Sequence, residues 1–202
     1  KIETQKKNKN RLNIFLDDEF AFGLDATVAA KFRIGEGDEL TEEQISNLLL
    51  TEERKQIKDK AFRYLAGRAH SEKELRTKLN MKGYDNHLTD QVITELKEAK
   101  FIDDAEFAVS YARSRLLQNP MGEKLLRHEL WQKGVNEELI EQTVLKVYSE
   151  ESQTDLAKKL FDKRKARYKD LTDPQSRKKM GEFLLRRGFS WEVIKEVLEA
   201  GT

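Results

Sequence analysis

Acid–base or metal chemistry in this chain would have to come from His70, His87 and His128 and from the adjacent carboxylates Asp17-Asp18 and Asp103-Asp104. No two of the histidines stand four apart, the spacing that lets imidazoles on one helix face share a metal. They read as ordinary surface histidines. Asp17-Asp18 separates two apolar runs and is the acidic turn of a hairpin. Asp103-Asp104 precedes Ala105-Glu106, the composition of a helix start. No serine stands in a nucleophile-elbow context. The chain has no cysteine, which excludes thiol catalysis and disulfides. Gly35-Glu36-Gly37-Asp38 lacks the lysine of a phosphate-cradling loop. No catalytic, metal or cofactor site is read, and the chain is expected not to be an enzyme.

Cations offer more. Lys+Arg number 38 against 37 Asp+Glu, a net charge of +1 that predicts no partner by itself. Their distribution is uneven: Lys158 to Lys179 holds ten basic residues against Asp162, Asp170 and Asp173. Such a block points to an anionic partner. The candidate contacts are Arg113, Arg115, Lys124, Arg127, Arg164, Lys165, Arg167, Arg177, Lys178, Arg186 and Arg187. Phosphate contacts from these residues would give affinity without sequence information. The competing reading is a solvated helix face with internal ion pairs.

The elements that must carry these residues are set by a repeated spacing. Leu75-Arg76-Thr77-Lys78-Leu79-Asn80-Met81-Lys82-Gly83-Tyr84 returns as Leu126 to Val135 and as Met180 to Phe189. Each glycine is preceded at eight and four residues by Leu75/Leu79, Leu126/Leu130 or Met180/Leu184, and directly by Lys82, Lys133 or Arg187. Apolar residues four apart share a helix face, and glycine ends a helix in the left-handed conformation. The cation before it suits the negative end of the helix dipole. Apolar positions resume after the turn, with Thr143 the one weak match. Each copy is therefore helix, glycine turn, helix, and three copies make a tandem helical-repeat protein.

Going back to the start, residues 1–10 are polar and read as a frayed terminus. Residues 11–50 read as a β-hairpin, a short helix capped by Asp25, a loop and a capping box at Thr41-Glu42-Glu43-Gln44. A separate helix is expected from about Glu53 to Ala69. Ser71, Asp103, Ser152, Asp173-Pro174 and Ser190 are helix starts, and Pro120 is a helix stop. The predicted fold is mostly α: three-helix units at 52–100, 103–148 and 152–201 in an elongated array, behind the hairpin and helix. The third glycine lies 54 residues after the second rather than 51, and the extra length falls near Lys169 to Pro174.

No apolar run is long enough to span a bilayer and no secretory signal is read, so a cytoplasmic location without membrane contact is expected. The absence of an opening methionine gives the expectation that a few residues precede Lys1. Helix–turn–helix units also admit a stand-alone DNA-binding regulator.

Ser71-Glu72-Lys73-Glu74-Leu75 through Lys82-Gly83-Tyr84, then Phe101-Ile102-Asp103-Asp104-Ala105-Glu106-Phe107-Ala108 and Tyr111-Ala112-Arg113-Ser114-Arg115, closely resemble the core of the RecX family. Pro120 through Gly122 to Lys133-Gly134-Val135 continues the likeness. It covers about 52–200, the third repeat more loosely, and 11–50 resembles the amino-terminal extension of longer members. The resemblance implies a cytosolic modulator of the RecA recombinase in DNA repair, recombination and the SOS response, and a monomer is expected. Such proteins lie along the RecA–DNA filament and restrain its ATPase, strand-exchange and co-protease activities. They would touch single- or double-stranded DNA weakly, through phosphates.

Overall fold

The computed structural model describes residues 1–168 and 170–201. Lys169, within the predicted basic run, lies outside the described residues. The chain divides into two compact units, one of residues 1–67 and 76–95, the other of 68–75 and 96–202.

The first unit opens with an antiparallel sheet of β1 (Ile2–Thr4), β2 (Arg11–Leu16) and β3 (Glu19–Asp25). The expected hairpin is β2–β3. Asp17 and Asp18 have φ of 50° and 64°, the left-handed pair that a two-residue hairpin turn requires. The terminus expected to fray instead supplies β1, with Ile2 opposite Ile14 and Thr4 opposite Leu12. Three residues are too few to show the period-two apolar–polar alternation of a strand. Asp25 caps α1 (Ala26–Lys31), accepting from the Thr27 N–H at 2.9 Å. Ile14, Leu24, Val28, Ala29 and Leu48 form the core beneath the sheet.

The two helices expected at 45–50 and 53–69 are one, α2 (Glu42–Gly67). It starts in the predicted capping box, where the Gln44 N–H donates to Thr41 Oγ1 and the Thr41 N–H donates to Gln44 Oε1. Thr51-Glu52-Glu53 reads locally as a second helix start. Glu52 is instead 4% exposed and faces inward, salt-bridged to Arg11 at 2.8 Å and accepting from the Asp25 N–H at 2.8 Å. That tertiary contact carries the helix through, so the expected boundary between extension and first repeat lies in mid-helix.

α3 (Glu72–Asn80) and α4 (Asn86–Glu98) complete the first repeat. The second repeat is α5 (Asp104–Gln118), α6 (Glu123–Gln132) and α7 (Glu137–Glu150). The third is α8 (Gln153–Lys165), α9 (Pro174–Arg186) and α10 (Trp191–Ala200). Asp103, Ser152, Asp173 and Ser190 are the N-caps expected, and Pro174 holds the first position of α9. The third repeat's extra length sits in the α8–α9 connection.

Gly83, Gly134 and Gly188 have φ of 81°, 84° and 85°, each in the turn after a helix. Their N–H groups donate to Asn80, Trp131 and Leu185, all at 2.9 Å. In the second and third copies the next N–H, of Val135 or Phe189, reaches back five residues to Leu130 or Leu184, completing a Schellman cap. The predicted apolar faces are inside: Leu75, Leu79, Leu126, Leu130, Met180 and Leu184 are all 0% exposed. Thr143, the weak match, is buried like its apolar counterparts.

Candidate interaction surface

In the second unit the α3 N-terminus and the repeats after it are joined by one recurring device. Ser71, N-cap of α3, donates its hydroxyl to the Lys133 carbonyl at 2.6 Å. Lys133 Nζ meets Glu74 at 2.5 Å and lies 5.6 Å over the Tyr111 ring. A repeat later, the Gly122 N–H at the start of α6 donates to the Arg187 carbonyl at 2.9 Å, and the Lys124 N–H donates to Gly188 at 3.3 Å. The Arg187 guanidinium donates to the Pro120 carbonyl at 3.2 and 2.5 Å. The cation before each of these glycines therefore does more than complement its own helix dipole. It clamps the turn to the helix start of the preceding repeat.

This device sorts the predicted cations by what they touch. Arg115 pairs with Glu129 at 2.7 and 2.6 Å, and Tyr111 donates its hydroxyl to the same carboxylate at 3.0 Å. Burial and Glu129 push the Tyr111 phenol up to about 12. Arg127 binds Glu123 at 2.7 Å, Glu137 at 3.3 Å and also Glu141. Arg113 forks onto Glu150 across the α5–α7 pair. Arg164 stacks on the Phe183 ring at 4.0 Å. Arg115, Arg127 and, on Pro120, Arg187 thus spend donors on partners within the fold, whereas Arg113 pairs with Glu150 on the exposed surface.

The remaining cations face water. Lys124, Lys165, Arg167, Lys178 and Arg186 are exposed and Arg177 is partly so. Of these, Lys165 pairs with Asp162 at 2.9 Å, and Lys124 lies close enough to Glu192 to help lower its pKa. Apart from Lys124, they come from α8, α9 and the loop that follows α8. The helix after each turn is the opposite: α7 carries Glu137, Glu138, Glu141 and Glu150 against Lys146, and α10 carries Glu192, Glu196 and Glu199 against Lys195.

The residues first weighed for chemistry have structural partners. His70 is buried rather than on the surface, its Nδ1 2.9 Å from the Arg68 carbonyl. His87 and His128 each accept from a glutamine amide one turn on, Gln91 and Gln132. Asp103 accepts from the Ala105 and Glu106 N–H groups, and Asp104 accepts from the Glu72 N–H at 2.8 Å, capping α3 across 32 residues. Among the described residues, no three His, Cys, Asp or Glu side chains are grouped to hold a metal. No helix among the described residues is long and apolar enough to cross a membrane.

Sequence reasoning missed the carboxylates that take up the cations. Glu74 stands three residues after Ser71, the position of the return half of a capping box. The Glu74 N–H does donate to Ser71 Oγ, but its carboxylate turns to Arg68 at 2.9 Å and to Lys133. Glu129 and Glu150 lie 14 and 37 residues from their arginines, beyond any local spacing rule.

Fold and surface together define a class: a tandem array of helix–glycine turn–helix units with a small amino-terminal sheet, offering exposed cations. Comparison with known proteins is specific to that class. Family models for the RecX N-terminal domain and for its first, second and third three-helix domains match residues 1–41, 58–96, 103–144 and 150–198. Regulatory protein RecX of Bacillus cytotoxicus is 34% identical over 203 residues, covering 98% of this chain and 75% of that protein. Regulatory protein RecX of Bacillus subtilis strain 168 is 35% identical over 199 residues with the same coverage. A crystal structure of regulatory protein RecX superposes with a TM-score of 0.76 at 29% identity, over 98% of this chain and 97% of that one. That of RecX from Lactobacillus salivarius shares the fold, with a TM-score of 0.66 over 74% of this chain and 97% of its own. The chain belongs to the RecX family of regulatory proteins.

Proposed function

We propose that this protein binds the RecA–DNA filament and restrains its ATPase, strand-exchange and co-protease activities, as a cytoplasmic regulator in DNA repair, recombination and the SOS response. Family membership supports the partner. The observation that carries the mode of binding is the division of charge: α8, α9 and the loop between them hold most of the exposed cations, while α7 and α10, which follow the turns, are acidic. A helix–turn–helix reader places its second helix in the major groove against a dense phosphate charge. An acidic second helix repels that surface, which disfavours the stand-alone DNA regulator. Exposed cations on the preceding helices instead give weak, sequence-independent phosphate contact, suited to a partner that is part protein and part nucleic acid.

Binding titrated with salt, on random duplex, selected duplex and preformed RecA–DNA filaments, tests this. The filament is expected to bind most tightly, with naked DNA weak, salt-sensitive and indifferent to sequence. A sequence preference of several orders of magnitude on naked duplex would restore the groove reader.

A further inference from the structure

Counting from the turn glycine, four positions carry the ion-pair network of the second repeat. Glu123 stands eleven residues before Gly134, Arg127 seven before, Glu137 three after and Glu141 seven after, and Arg127 touches all three acids. Its side chain thereby lies across the groove between α6 and α7. The first repeat keeps the core of this arrangement: Arg76 meets Asp90 at 2.7 Å at the corresponding positions. In the third repeat all four positions differ. They are Arg177, Gly181, Trp191 and Lys195. The arginine that fills the groove is a glycine, and the acids that hold it are two cations and an indole.

The consequence is an open cleft of about 670 Å³ between α9 and α10, lined by all four of these residues with Leu185 and Leu198. Packing does not demand the glycine. A Cβ on Gly181 would meet Ile194 Cγ2 and Leu198 Cδ1 at 3.7 Å, an ordinary contact, and a mid-helix glycine weakens the helix. Trp191 leaves 62% of its surface exposed at the rim. An apolar floor beside an exposed indole, edged by guanidinium and ammonium groups, suits a ligand with a flat ring and a phosphate. The cleft places no cluster of polar groups to read base edges. Glu182 and Glu199 share the rim, the latter 3.9 Å from Lys195, and temper the positive charge.

We propose that this cleft is a binding site for single-stranded nucleic acid, with a base stacked on Trp191 and the flanking phosphates held by Arg177, Lys178 and Lys195. Aromatic stacking tolerates any base, and the cations supply a salt-dependent grip on the backbone. The proposal deepens the reading of an anionic partner given above by assigning it a site. The first two repeats have this groove closed by Arg76 and Arg127, so the site belongs to the third alone.

The test uses the full chain with Trp131→Phe, which leaves Trp191 as the only indole. An oligothymidylate titrated at low salt is expected to quench Trp191 emission, and added salt to reverse the quench. Trp191→Leu, which keeps an apolar side chain, is expected to weaken oligonucleotide binding, read by anisotropy of a labelled strand, about five-fold or more. The combination Arg177→Glu, Gly181→Arg, Trp191→Glu and Lys195→Glu installs the closed set of the second repeat and is expected to weaken it further while the helical signal and melting profile persist. Binding with unmoved Trp191 emission, or binding untouched by the closed set in a folded variant, overturns the proposal. Polyglutamate that quenches Trp191 and displaces the strand at lower concentration also overturns it, assigning the cleft to an acidic polypeptide. RecA ATPase separates the two readings: a chain that binds the strand through this cleft yet leaves RecA unaffected keeps the site and loses the proposed function.

Discussion

Ser71 Oγ donates to the Lys133 carbonyl at 2.6 Å across 62 residues of chain, so the cap of one repeat's helix seats the glycine turn of the next. Gly122 and Arg187 repeat the relationship through backbone groups alone. The turn glycines thus carry two constraints, a left-handed backbone everywhere and close approach where a neighbour's helix start is seated.

The glycines should therefore not be equal under substitution. A Cβ at Gly134 would stand 2.5 Å from Lys73 Cβ, and one at Gly188 would stand 2.6 Å from the Leu125 backbone nitrogen, whereas one at Gly83 has nothing within 4 Å. Gly83→Ala is expected to cost roughly 1–2 kcal/mol, the left-handed penalty alone. Gly188→Ala adds overpacking and should reach roughly 3 kcal/mol or more. Urea unfolding of the two variants compares them, and equal losses would remove the seating role of Gly188.

Glu52 anchors α2 to the sheet through Arg11 and the Asp25 N–H in a nearly dry setting. Glu52→Ala leaves the Asp25 N–H without its acceptor and the part-buried Arg11 guanidinium with the Gly23 carbonyl at 3.3 Å but no carboxylate, and is expected to cost about 2 kcal/mol. Leu79→Ala, at a fully buried position, is expected to cost roughly 2–5 kcal/mol. A loss under about 1 kcal/mol at Leu79 would contradict the helix phase taken from the repeat.

Acid should loosen the joint around Glu74. Burial opposes ionisation there, yet Arg68 and Lys133 hold the carboxyl down at about 2 from the usual 4.5. A depressed folded value means stability is present above the unfolded value and is lost as pH falls from about 4.5 towards 2. Screening on the exposed Arg68 side limits the effect to about 1–2 kcal/mol. Glu74→Gln is expected to flatten that part of the stability–pH curve, and an unchanged slope would contradict the clamp.

Much of the fold was legible because its signals are local and repeated. The glycine spacing, the capping residues and Asp173-Pro174 each act within one turn of chain, and each stands where expected. Glu52 shows where local reading stops, since its partners Arg11 and Asp25 come from strands far back in sequence. The candidate surface was legible as composition and not as geometry. Arg115 and Arg187 look like Arg167 and Lys178 in sequence, and only their distant partners separate them. The cleft of the third repeat had a sequence signal in the change from Arg76 and Arg127 to Gly181, visible once the repeats are aligned on their glycines.

The same division predicts two kinds of mutant. Replacing Lys165, Arg167 and Arg186 with Ala should leave stability within about 0.5 kcal/mol and weaken DNA and filament binding, with a shallower salt dependence. Arg164 is left in place because it stacks on Phe183. Arg115→Ala strands the Glu129 carboxylate and should lower stability first. Unfolding curves beside binding isotherms for both variants decide the assignment, and normal binding by the folded triple mutant would return those cations to a merely solvated surface.

Regulation of a recombinase filament, as proposed for this protein, is read most directly from DNA-dependent ATP hydrolysis by RecA. Titrating this protein into RecA on single-stranded DNA is expected to suppress hydrolysis at or below one molecule per RecA. A rate that stays constant up to saturating protein would contradict it.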